Sequence, residues 1–137
     1  MKQIFINLPV KNTAIAQHFY TQIGFTLNPL FTFENQISMN WGDQIFIMLQ
    51  TYEMFFSKHT KSPIDTQTHP LVTFTLPIEK LETINTIMEK GLQAGGTEIF
   101  PPISETFMQG RNIKDQDGNQ WCLLYLNIQK FKESVGK

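Results

Sequence analysis

Along the first fifty residues, apolar and polar positions change their period several times, and each change marks an element. Ile4 to Pro9 (IFINLP) alternates with period two, as a strand does, and from Ala14 to Ile23 the apolar Ile15, Phe19 and Ile23 recur at helical spacing. Asn12 or Thr13 is placed to cap that helix, and Gly24 to end it in the left-handed conformation. Phe25 to Phe33, Gln36 to Trp41 and Gln44 to Thr51 predict three strands, the last two joined by a Gly42-Asp43 turn. The first half is therefore βαβββ.

From Tyr52 to Thr68 no period holds, and Ser, Thr, Lys and Pro collect. A structureless loop of that length is uncommon inside a domain, so the segment is expected to be a linker or a lid. Its Met54-Phe55-Phe56 cluster needs a partner, either a cavity beneath it or a second chain. The grammar of the first half then returns. Leu71 to Leu76 is strand-like, and Ile78 to Leu92 is helical with Leu81, Ile84, Ile87 and Met88 on one stripe, ended by Gly95-Gly96. Strands follow at about Thr97–Phe100, Phe107–Ile113 and Gln120–Leu126, the last two joined by Asp115-Gln116-Asp117-Gly118, a turn signature rather than a calcium loop. Phe5-Ile6-Asn7-Leu8-Pro9-Val10 falls on Thr73-Phe74-Thr75-Leu76-Pro77-Ile78 at a constant offset, which suggests a duplicated unit. The expected fold is α+β, one domain over residues 1–137: a module of about 2–51, a linker at 52–68, a second module of about 69–126 and a C-terminal tail at 127–137. Two such modules together form a concave mixed sheet, whose inner face is a natural ligand cavity.

Composition narrows the functions open to such a fold. Of 137 residues, 41% are hydrophobic, enough for a core, and 11 basic against 12 acidic side chains leave a net charge of -1. Without a Lys/Arg run, nucleic-acid binding is not expected, and no stretch has the roughly 20 apolar residues that cross a bilayer. Cys122 is the only cysteine, so no intrachain disulfide forms and a cytoplasmic location is expected. There is no P-loop, dinucleotide fingerprint or Ser-His-Asp arrangement. His18 and His59 are expected at ordinary surface positions. Arg111, the only arginine, precedes the Asp115 turn and could clamp a ligand carboxylate or phosphate through two parallel bonds.

The βαβββ duplication, with Phe5-Ile6-Asn7-Leu8-Pro9-Val10, His18-Phe19-Tyr20, Ile23-Gly24-Phe25, Ala94-Gly95-Gly96 and Asp115 to Trp121, resembles the glyoxalase/bleomycin-resistance/extradiol-dioxygenase (vicinal oxygen chelate) superfamily, in particular its bacterial glyoxalase-like group. The resemblance covers about Lys2 to Leu126. It implies metal-ligand positions on the first and last strand of each half, and the carry-over places Gln3, Leu71, Met48 and Cys122 there. Leu supplies no donor and Met is a poor ligand for hard or borderline ions, so no metal cofactor is expected. A register shift of two would instead bring Gln3, Gln50, His69 and Cys122 together, the ligand set of a metal-dependent lyase or dioxygenase. The favoured reading is a small-molecule binding protein, homodimeric, resembling the drug-sequestering branch. Its cavity would be lined by Gln3, Phe5, Asn7, Met48, Gln50, Leu71, Thr73, Cys122 and Leu124, with Arg111 as an added ligand clamp.

Overall fold

Alternation in IFINLPV sends Ile6, Leu8 and Val10 to one face and Phe5, Asn7 and Pro9 to the other, and the segment forms β1 (Ile4–Val10). The structure, a computed structural model, describes residues 2–57 and 72–136. After β1 comes α1 (Thr13–Ile23), capped by Asn12, whose side-chain oxygen accepts from the Ile15 N–H at 3.0 Å. Gly24 closes it at φ 117°, where a side chain would be strained and where an added Cβ would also stand 3.1 Å from the Trp41 ring. β2 (Thr26–Phe33), β3 (Gln36–Trp41) and β4 (Ile45–Thr51) complete the module, and the sheet order is β1-β4-β3-β2 with β1 parallel to β4.

The second module repeats the order as β5-β8-β7-β6, with β5 parallel to β8. Its elements are β5 (Thr73–Pro77), the helix that follows β5 (Leu81–Gln93), β6 (Thr97–Ser104), β7 (Met108–Lys114) and β8 (Gln120–Leu126). That helix begins three residues later than its pattern suggests, because the Ile78 N–H still bonds to Leu124 O at 2.8 Å and holds the chain to the sheet. β6 runs beyond Phe100 through Pro101-Pro102. As an edge strand it tolerates two residues without an N–H, and its register shifts between Ile99 and Ile103, where Phe100 takes φ 62°.

Two short helices escaped the periodicity. The first, α2 (Tyr52–Phe56), occupies the start of the expected linker and rests on β1 and β4; the helix following β5 is accordingly α3, and α4 (Ile128–Val135) occupies the expected tail. Each is opened by a side-chain cap: Thr51 Oγ1 accepts from Met54 N at 3.2 Å, and Asn127 Oδ1 from Lys130 N at 3.0 Å. With fewer than three full turns apiece, neither gives a helical period enough repeats to register. Among the described residues, no helix is long and apolar enough to cross a membrane.

One core serves both modules. α1 packs on α3, and the sheet faces carrying Ile47 and Leu49 in one module and Trp121 and Leu123 in the other close over them. The helices approach so closely at Gly91 that an added Cβ would lie 2.6 Å from Ile113 Cδ1 and 2.9 Å from Ile23 Cγ2. The turn at Asp115 is also the joint. Tyr20 is fully buried, and its hydroxyl donates to Asp115 Oδ2 at 2.6 Å while accepting from Trp121 Nε1 at 2.9 Å. Asp115 further accepts from Asp117 N, Asn119 N and Asn119 Nδ2, and Asp117 Oδ1 reaches across to Lys11 N at 2.9 Å.

Burial pushes the Asp117 carboxyl up to about 6, with the Lys11 N–H pulling down and the Asp115 charge pushing up. An acid raised in the folded state stabilises only while protonated. Its contribution is complete below the unfolded pKa near 4 and is lost as pH rises through about 6. Asp117→Asn, neutral throughout, should therefore match the parent near pH 4 and melt about 2–4 °C higher near pH 8. A gap that is negative at pH 8, or that does not change with pH in parallel thermal scans, would contradict this.

Candidate functional site

With Ile47, Leu49, Trp121 and Leu123 turned into the core, alternation leaves the opposite face of each sheet pointing away from it. On the first module, cross-strand register groups that face into rows. Phe5, Phe46 and Asn40 form one; Asn7, Met48 and Ser38 the next; Pro9, Gln50 and Gln36 the third. The Phe5 and Phe46 rings are stacked at 4.5 Å between centroids, and Phe31 from β2 meets Phe5 edge-on at 5.9 Å. Ser38 Oγ donates to Met48 Sδ at 3.3 Å, Gln50 Nε2 donates to Gln36 Oε1 at 2.8 Å, and Gln36 Nε2 donates to Phe31 O at 2.8 Å. Gln36, Ser38 and Gln50 are buried by these arrangements, and no residue in the three rows carries a charge.

The second module has matching rows of Thr73, Gln120 and Lys114; Thr75, Cys122 and Asn112; and Pro77, Leu124 and Gly110. Thr73 Oγ1 donates to Gln120 Oε1 at 3.1 Å. Cys122 and Asn112 are buried side by side, and burial pushes the Cys122 thiol up, so the protonated form prevails at neutral pH. Among these rows Lys114 carries the one charge, at the end.

Of the residues singled out in the sequence, Phe5, Asn7, Met48 and Gln50 therefore share one face, and Thr73, Cys122 and Leu124 share the other module's equivalent. Gln3 stands just before β1, exposed, its amide donating to Asp43 O at 3.3 Å. Leu71, His59 and His69 lie outside the described residues. Arg111 does not join the others. It pairs in register with Leu123, a core residue, which puts it on the helix side, and its fork already holds Glu98: Nε to Oε2 at 2.9 Å and Nη2 to Oε1 at 2.7 Å. Nη1 adds Asn85 Oδ1 at 2.9 Å. The hydrogen bonds from Arg111 hold the Glu98 carboxyl below its usual range, burial opposing them. Beside this pair, a groove of about 450 Å³ runs between α3 and the strands β6 and β7.

Gln36, Ser38, Asn40 and Asn112 were not anticipated as face residues. Strand alternation alone carried the signal, because QISMNW places a polar side chain at every second position opposite Ile37, Met39 and Trp41.

A small thiol reagent should label Cys122 slowly at neutral pH, since the reactive thiolate is scarce and the side chain is buried, and Cys122→Ser should fold normally. Labelling as fast as that of a free thiol would show a thiolate there. Labelling only on unfolding would put Cys122 in a closed interior and remove this strand from the site.

No family model and no curated relative matches the chain by sequence. Solved structures do resemble it. A hypothetical protein from S. aureus superposes with TM-score 0.77 at 23% identity, covering 91% of this chain and 94% of that one. A glyoxalase-related enzyme from Fulvimarina pelagi gives 0.76 at 15% identity, over 91% and 88% of the two chains. A glyoxalase/bleomycin resistance protein/dioxygenase family enzyme from Burkholderia phytofirmans PsJN gives 0.74 at 14% identity, over 92% and 99%. Paired βαβββ modules, each with its own mixed four-stranded sheet, and likeness along nearly the whole chain establish that this protein has the glyoxalase/bleomycin resistance protein/dioxygenase fold.

Proposed function

We propose that the chain binds a small organic molecule against its outward sheet faces, without a catalytic divalent metal, as a cytoplasmic homodimer. The observation that carries this is the donor set. At the positions where the family resemblance implies ligands, Met48 offers a thioether engaged by Ser38, Cys122 a protonated thiol, and Gln3 an exposed amide bonded to Asp43 O. A divalent ion needs three or four anionic or strongly donating groups, and this set does not fit one. The alternative set, which supports a lyase or dioxygenase, requires Gln50 to turn from Gln36, its partner at 2.8 Å.

Assembly follows from the same faces. The modules spend their helix sides on each other, while the outward side leaves Phe5 and Phe33 uncovered, Phe33 by 56%. A second copy that covers this apolar set would also enclose a ligand between two sheet faces. Light scattering should report twice 15.9 kDa at micromolar concentration, and millimolar nickel, zinc or manganese should leave the melting temperature unmoved. A monomer would contradict the assembly, and a rise of several degrees with one ion would contradict the metal-free reading.

A further inference from the structure

The first module's face specifies what kind of molecule it would hold, a conclusion that rests on the small-molecule reading above. Its three rows combine stacked aromatic rings with amides and a hydroxyl, and they contain neither a cation nor an anion. An ionic ligand desolvated there would find no countercharge in these rows, whereas a neutral ring could lie along Phe5, which is 46% exposed although its neighbour Phe46 is buried. Beside Phe46 in the same row stands Asn40, whose Oδ1 is buried and has no hydrogen-bond partner among the described residues. Buried amide oxygens elsewhere on this face are satisfied: Gln36 Oε1 has Gln50. Asn40 stands across the buried Phe46 from Phe5, and a buried acceptor without a partner gains from a donor that its side chain turns to meet.

We infer that this face takes an uncharged planar molecule, aromatic or heteroaromatic, that lies against Phe5 and presents an N–H or O–H to Asn40 Oδ1. A ligand amide suits the position well, since its donor and acceptor lie side by side and can pair with the Asn40 amide in either orientation. Phe5 supplies contact area and Asn40 direction.

Three bicyclic probes of one shape separate the possibilities: 2-naphthamide, 2-naphthoate and 2-naphthamidine, neutral, anionic and cationic at neutral pH. Each is titrated into the labelled protein while backbone amide NMR shifts are followed. Naphthamide should bind at least roughly fivefold more tightly than either ion, with shifts centred on Phe5, Asn40 and Phe46. Phe5→Ala should weaken it by about tenfold and Asn40→Leu by about fivefold. Asn40→Asp keeps the acceptor but adds a charge, and should turn the preference to naphthamidine; its spectrum also shows whether the site remains folded. A preference of the parent protein for naphthoate or naphthamidine would overturn the neutral class while leaving small-molecule binding in place. Absence of shifts with all three would overturn both.

Discussion

Asp115→Ala is expected to destabilise the protein by about 3 kcal/mol or more, the largest effect of any single polar truncation among the described residues. The carboxylate is 3% exposed and accepts from four donors: Tyr20 Oη, Asn119 Nδ2 and the N–H groups of Asp117 and Asn119. Alanine leaves them all without that acceptor in a space water does not reach, and frees the Tyr20 hydroxyl on which Trp121 Nε1 depends. Burial raises the Asp115 pKa even against these bonds, so part of the gross gain is spent on desolvation. Asp115→Asn, which retains one acceptor oxygen, should cost less than half as much. Urea unfolding with an unchanged slope measures both, and a loss below about 1 kcal/mol for the alanine variant would show that the joint is not where the modules are held.

Trp121→Ala should cost about 3–5 kcal/mol. The ring is 1% exposed and lies against Tyr20 and Phe25 of the first module, at 5.7 and 5.4 Å between centroids, and against Phe74 of its own, at 4.8 Å. Its removal opens a cavity where the two halves meet, and neither half can collapse into it without losing contact with the other. Because Tyr20 links Trp121 to Asp115, the double variant Asp115→Ala/Trp121→Ala should lose less than the sum of the two single losses. Strict additivity would mean that the indole and the carboxylate act independently.

The same residues show what was legible in the sequence. Period-two and period-3.6 patterns located the strands and the two long helices; Gly24 marked the end of the first helix, and of the two candidate caps, Asn12 and Thr13, the backbone uses Asn12. The Asp115-Gln116-Asp117-Gly118 turn was legible as a turn, yet its role as a joint was not: the partners Tyr20 and Lys11 lie 95 and 106 residues from the carboxylates they meet, and no local pattern encodes that distance. The surroundings of Arg111 were hidden for a comparable reason. Its guanidinium suits an anionic ligand by chemistry alone, but which side of β7 it occupies depends on register with Leu123, and its anion proved to be Glu98. Gln36, Ser38 and Asn40 share a face of β3 by alternation alone, whereas the family resemblance points only to the first and last strand of each half.

The proposed site works without a metal, and the most direct measurement is elemental analysis of protein purified without a histidine tag, paired with an assay of methylglyoxal–glutathione isomerisation. Thioether, protonated thiol and exposed amide predict nickel, zinc and iron well below one ion per chain, and no isomerase activity before or after these ions are added. One ion per chain, released only by a chelator and needed for turnover, would contradict it.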